Sequence, residues 1–120
     1  MPGRTISAIL ASSLLLSAAG CQQRHVEAAL VNHTGVELRL IEIDYPSSSF
    51  GANALGPEED IHYAMRIHGS GPVRIQYVIG NSSPVSIQGP VLHQGQHGRL
   101  DIDLRPNGRA EFHPTLAPVF

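Results

Sequence analysis

At 120 residues, with eight arginines, no lysine and ten carboxylates, the chain has a net charge of −2 and length for one domain. No basic stripe is available to neutralise phosphates, which argues against nucleic-acid binding. Tryptophan is absent and aromatics are few, which weakens a carbohydrate-stacking role, and one cysteine cannot form an internal disulfide.

Residues 1–20 have the pattern of a cleaved signal peptide. Arg4 and the amino terminus supply positive charge, an apolar core runs from Ile6 to Leu16, and small residues lead into Cys21. That core is too short to span a bilayer, which takes roughly 20 apolar residues. It also lacks the polar face of a packed amphipathic helix.

Ala18-Ala19-Gly20-Cys21 resembles the lipobox of bacterial lipoprotein precursors, matching it at the small positions and the cysteine; it departs at Ala18, where leucine is usual. The resemblance implies a diacylglyceryl group on Cys21 and a further acyl chain, such as palmitate, on the new amino terminus. Two or more chains, at roughly 0.8 kcal/mol per buried methylene, hold a protein on a membrane. Gln22 follows in place of an aspartate retention signal, which implies the outer membrane, facing the periplasm, if the host has two membranes. No other cofactor is expected.

Residues 21–25 form a short tether, and a domain is expected over 26–115 with a tail at 116–120. Its dominant signal is alternation with period two, the pattern of half-buried strands. Val26 to Val31 is the first apolar run, closed by the turn Asn32-His33-Thr34-Gly35. Val36, Leu38 and Leu40 alternate with Glu37 and Arg39; the phase then slips, so that Ile43 and Tyr45 alternate with Glu42 and Asp44. One extra residue that swaps faces predicts a β-bulge near Leu40-Ile41. Pro46 to Asp60 shows no strand pattern and reads as a long loop.

Ile61, Tyr63, Met65 and Ile67 alternate with outward His62, Arg66 and His68, and Gly69-Ser70-Gly71 predicts a hairpin into Val73, Ile75, Tyr77 and Ile79. Gly80 to Pro84 turns again, into a strand over Val85 to Leu92 that Gly89-Pro90 marks as a bent edge. Leu100, Ile102 and Leu104 alternate with Asp101 and Asp103, and Pro106-Asn107-Gly108 predicts a hairpin returning through Ala110 and Phe112. About seven short strands without helical periodicity imply a single antiparallel immunoglobulin-like β-sandwich, with a small barrel as the alternative. The strand, Asn/Thr-Gly turn, Ser-Phe-Gly segment and Leu-x-Pro segment are similar to small bacterial envelope proteins, a resemblance that carries no activity.

Seven histidines raise a metal hypothesis. His93 and His97, four apart in a glycine-rich loop, could chelate zinc or copper with Asp101 or Asp103 as a third ligand. His62 and His68, six residues apart on one strand, are about 20 Å from each other, too far to share an ion. Asp101 and Asp103 lie about 7 Å apart on one strand face, a separation some glycosidases use, but no cleft-forming insertion accompanies them. Glu58-Glu59-Asp60 lacks the interleaved spacing of calcium loops. No Gly-x-Ser-x-Gly elbow occurs, and Gly69-Ser70-Gly71 offers its serine no base. The expectation is a non-enzymatic, lipid-anchored envelope module that binds or supports an envelope protein, through Phe50 and Leu55 or the edge near Pro84 to Leu92. The alternative is a periplasmic metal-binding lipoprotein using His93 and His97.

Overall fold

A computed structural model describes residues 25–117; Cys21, its lipobox and the residues beyond 117 lie outside them. Among the described residues there are eight strands: β1 (Val26–Asn32), β2 (Leu38–Tyr45), β3 (Ser48–Leu55), β4 (Asp60–Met65), β5 (Gly71–Val78), β6 (Val85–Leu92), β7 (His97–Arg105) and β8 (Arg109–Ala117). The last strand therefore runs past the expected domain end at residue 115. The strands form two four-stranded sheets, in the orders β4-β1-β7-β8 and β3-β2-β5-β6. All neighbouring pairs are antiparallel except β1 with β7, which run parallel. A constant-type immunoglobulin domain keeps its first two strands side by side in one sheet; here β1 and β2 lie in opposite sheets.

The period-two pattern explains the packing. Val26, Ala28 and Leu30 of β1 and Leu100, Ile102 and Leu104 of β7 turn inward to meet Leu38, Ile43, Val73, Ile75 and Tyr77 of the other sheet, in one core cluster. Each such valine, leucine or isoleucine contributes about 1.5–3 kcal/mol by leaving water. The bulge lies where the phase slip placed it: β2 gains a residue against β5 between Arg39 and Glu42. Leu40 takes a left-handed backbone, φ 52°, and points outward, 60 % exposed, which lets both Leu38 and Ile41 face the core. Gly51 on β3 passes so close to the Ile41 carbonyl that a Cβ has no room there.

Two expected connections differ. Pro46 to Asp60 is largely a strand: Pro46 and Ser47 make a tight turn, and β3 pairs with β2 from Tyr45↔Ser48 to Leu38↔Leu55. Its alternation is hidden because Ser48, Ser49, Gly51 and Asn53 carry no apolar signal and it is an edge strand with little surface to bury. Residues 66–70 are not a hairpin either, since β4 and β5 belong to opposite sheets. Gly69 does take a positive φ of 81°, but a local turn signal is the same whether the chain folds back or crosses over.

Pairing and crossovers give the sandwich two distinct ends. One gathers the starts of β1, β5 and β7, the end of β8 and connections 46–47, 66–70 and 93–96. The other gathers connections 33–37, 56–59, 79–84 and 106–108.

Candidate functional site

Asn32 ends β1 at the second of these ends and is fully buried. Its Nδ2 donates to the carbonyls of Val36, Leu55 and Gly56 at 2.8, 3.0 and 3.0 Å. Its Oδ1 accepts from Thr34 N at 3.0 Å and Thr34 Oγ1 at 2.7 Å. The turn sequence Asn32-His33-Thr34-Gly35 is thus a knot tying β1 to the β3–β4 connection, with every amide atom of Asn32 satisfied.

The knot positions His33 beside a polar cluster on the outer face of β7 and β8. His33 Nδ1 lies 3.0 Å from Glu58 Oε2, and its Nε2 lies 3.6 Å from Asp103 Oδ1. Asp103 and Glu111 are directly opposed across β7 and β8. His113 Nε2 lies 3.5 Å from Asp103 Oδ2 and 3.8 Å from Glu111 Oε1. Arg105 Nη2 approaches the same two carboxylates, at 3.8 and 3.3 Å. Among the described residues, Asp103, Glu111 and His113 are the group of three that could hold a metal ion, their ligand atoms all lying within 4.8 Å. Tetrahedral zinc with bonds near 2.1 Å separates its ligands by about 3.4 Å, close to this spacing. Arg105 already supplies a positive charge there.

His93 and His97 lie at the opposite end. His93 is exposed in the β6–β7 connection, and its N–H donates to Gln96 Oε1 at 2.8 Å. His97 opens β7, half-buried, with its Nδ1 enclosed and unpartnered. Neither shares a three-ligand group with any described side chain. The sequence offered Asp101 or Asp103 as a third ligand for His93 and His97; Asp101 lies beside Arg99, and the neighbours of Asp103 in space are Glu111 and His113, brought by the β7–β8 register. The signal that could have found them was the Pro106-Asn107-Gly108 hairpin: counted outward from that turn, Asp103 meets Glu111.

The expected partner residues are mainly packing groups. Leu55 is 4 % exposed and belongs to the core. Phe50 stacks on Tyr63, with centroids 4.5 Å apart and planes at 10°, and tilts against Tyr45 at 6.3 Å. Phe50 sits on β3 and Tyr63 on β4, edge strands of different sheets, so the stack closes one side of the sandwich. Burial pushes the Tyr45 hydroxyl above its ordinary value. Tyr77, deep in the core, is raised by burial too, and its hydroxyl has no hydrogen-bond partner.

Asp101 is bound to Arg99 at 2.8 Å, an interaction that raises the Arg99 pKa. Both outward aspartates of β7 are therefore engaged by basic groups rather than facing one another across a cleft.

No family model matches the sequence, and no curated protein matches it. An NMR structure of a protein from Eubacterium rectale is similar in fold, with a TM-score of 0.54 over 78 % of this chain and 93 % of that one. At 15 % identity the likeness concerns the fold alone.

Proposed function

We propose that the chain is a lipid-anchored envelope protein whose β-sandwich, of immunoglobulin-like character, is a non-catalytic binding or supporting module at a membrane face. The observation that carries this reading is the lipobox-like Ala18-Ala19-Gly20-Cys21 placed immediately before a folded domain. β1 begins at Val26, five residues after Cys21. At up to about 3.6 Å per residue, the domain stays within about 18 Å of its anchor. Confinement to a surface raises its effective concentration towards neighbouring proteins. The edge strand β6 supports the recruiting role, since an open edge offers backbone hydrogen bonds to an added strand. Replacing Cys21 with serine is expected to abolish acylation and move the protein to the soluble fraction; unchanged membrane association overturns the reading.

A second reading, periplasmic zinc or copper binding, draws on Asp103, Glu111 and His113 as well as on His93 and His97. Zinc titration of the full chain by calorimetry, repeated with His113→Gln and with His93→Gln, separates the two places. Binding no tighter than millimolar in the unsubstituted chain ends the metal reading.

A further inference from the structure

We propose that Asp103, Glu111 and His113 form a gated site for one zinc-class divalent ion, in which Arg105 is the built-in competitor that the ion displaces. Such gating presupposes the metal-binding reading and takes it further, since it needs neither His93 nor His97.

Strand register builds the ligand set. Asp103 on β7 and Glu111 on β8 are directly opposed, and His113 lies one diagonal step along β8, opposite Asp101. Diagonal neighbours on one face of an antiparallel pair are about 7–8 Å apart, within reach of a histidine and a carboxylate that lean together. Asp103 Oδ1 faces His33 Nε2 at 3.6 Å, which leaves Oδ2 turned towards His113 Nε2 at 3.5 Å. Glu111 Oε1 lies 3.8 Å from the same nitrogen. Each of the three side chains thus offers a ligand atom within 4.8 Å of the other two.

The spacing suits an ion better than direct bonds. Both contacts of His113 are longer than an N–H···O bond, about 2.7–3.2 Å, and close to the roughly 3.4 Å between ligands around tetrahedral zinc. An imidazole beside two carboxylates suits zinc or copper, whereas magnesium and calcium take six or more oxygens. Three protein ligands leave zinc a fourth position for water. The Asp103 side chain is 24 % exposed and those of Glu111 and His113 more than half, so an ion reaches them from solvent.

Arg105 is the gate. Two carboxylates directly opposed across a strand pair repel each other, which favours a cation beside both. Arg105 Nη2 supplies it, 3.3 Å from Glu111 Oε1 and 3.8 Å from Asp103 Oδ2, the two oxygens that face His113. A guanidinium and a metal ion therefore compete for the same two atoms. Arg105 reaches both through Nη2, as a point charge and not as a bidentate fork. Its Nε is enclosed without a hydrogen-bond partner among the described residues. Releasing that N–H to water offsets part of the cost of letting go. A pocket of about 490 Å³ lined by Arg105, Pro106, Arg109, Ala110 and Glu111 gives the side chain room to swing clear.

The test is calorimetry with zinc chloride on the full chain carrying Cys21→Ser, which removes the thiol as a competing ligand. One ion per chain is expected. Arg105→Gln removes the competing charge and should tighten binding by about tenfold or more, a gain that misfolding does not mimic. His113→Gln should weaken binding by about tenfold or more, and His93→Gln with His97→Gln should leave it unchanged. Ring ¹⁵N spectra should show zinc shifting Nε2 of His113, and a large excess of magnesium should not reverse the shift. Unaltered affinity in Arg105→Gln or in His113→Gln overturns the proposal. Zinc binding lost with His93→Gln and His97→Gln but kept with His113→Gln also overturns it, while the metal reading survives through the β6–β7 connection. Binding no tighter than millimolar without further substitution ends both.

Discussion

The two ends of this sandwich are closed by different chemistry. At the acidic end, one buried asparagine ties three segments together and carboxylates are offset by His33, Arg105 and His113. At the other end, glutamine side chains and backbone groups cross-link exposed connections, and connections 46–47, 66–70 and 93–96 contain no carboxylate. A buried amide bonded on every side is costly to remove, while exposed loop contacts exchange readily with water. The first end is therefore the more costly to disrupt, and the second is closed by contacts that open more readily.

The largest expected effect is Asn32→Ala. It strands the buried Leu55 carbonyl and takes a partner from the part-buried Val36 and Gly56 carbonyls and Thr34 N–H, and chemical denaturation should show a loss of about 2–4 kcal/mol. A loss below 1 kcal/mol would erase the distinction between the ends. At the other end, Gln94→Ala removes one exposed acceptor for Gly69 N and should cost about 1 kcal/mol or less, with faster amide exchange confined to 66–70 and 93–96. A global loss of protection would mean that this end too is structural.

The core between the ends gives a control through Tyr77. Its unpartnered hydroxyl predicts that Tyr77→Phe gains about 1 kcal/mol. The pH dependence has a definite sign. Burial raises the folded pKa of Tyr77 and of Tyr45, so above about pH 10 the unfolded chain releases protons that the folded chain retains. Stability is complete below that pH and falls as pH rises through it; Tyr77→Phe should shrink the fall, measured by denaturation across alkaline pH. The smallest effect is expected at the bulge, where Leu40→Gly relieves a left-handed backbone and removes an exposed apolar side chain. Thermal unfolding should show a gain of about 0.5–1 kcal/mol.

Much of the fold was legible where side chains carry a strong inside–outside contrast. β7 reads as a strand because Leu100, Ile102 and Leu104 alternate with two aspartates, and the bulge reads from one break in phase. β3 was illegible because an edge strand of serine, glycine, alanine and asparagine gives no contrast, although it pairs along its whole length. The site was less legible than the fold. His93 and His97 stand out because they are close in sequence, yet among the described residues the compact group that could hold an ion is Asp103, Glu111 and His113, which only strand register joins. Phe50 and Leu55 stand out as apolar residues in an apparent loop, yet one closes a seam and the other fills the core.

By itself, the sequence determined the all-β class, several of the turns, the bulge and the lipobox-like cysteine pattern, because each is written in neighbouring residues through period, backbone preference or motif spacing. Tertiary structure decided which strands share a sheet, that β1 lies parallel to β7, and that histidines from three separated segments lie at one end. Those outcomes depend on pairing across long sequence separation, where many arrangements satisfy the same alternation and only the packing of a common core selects among them.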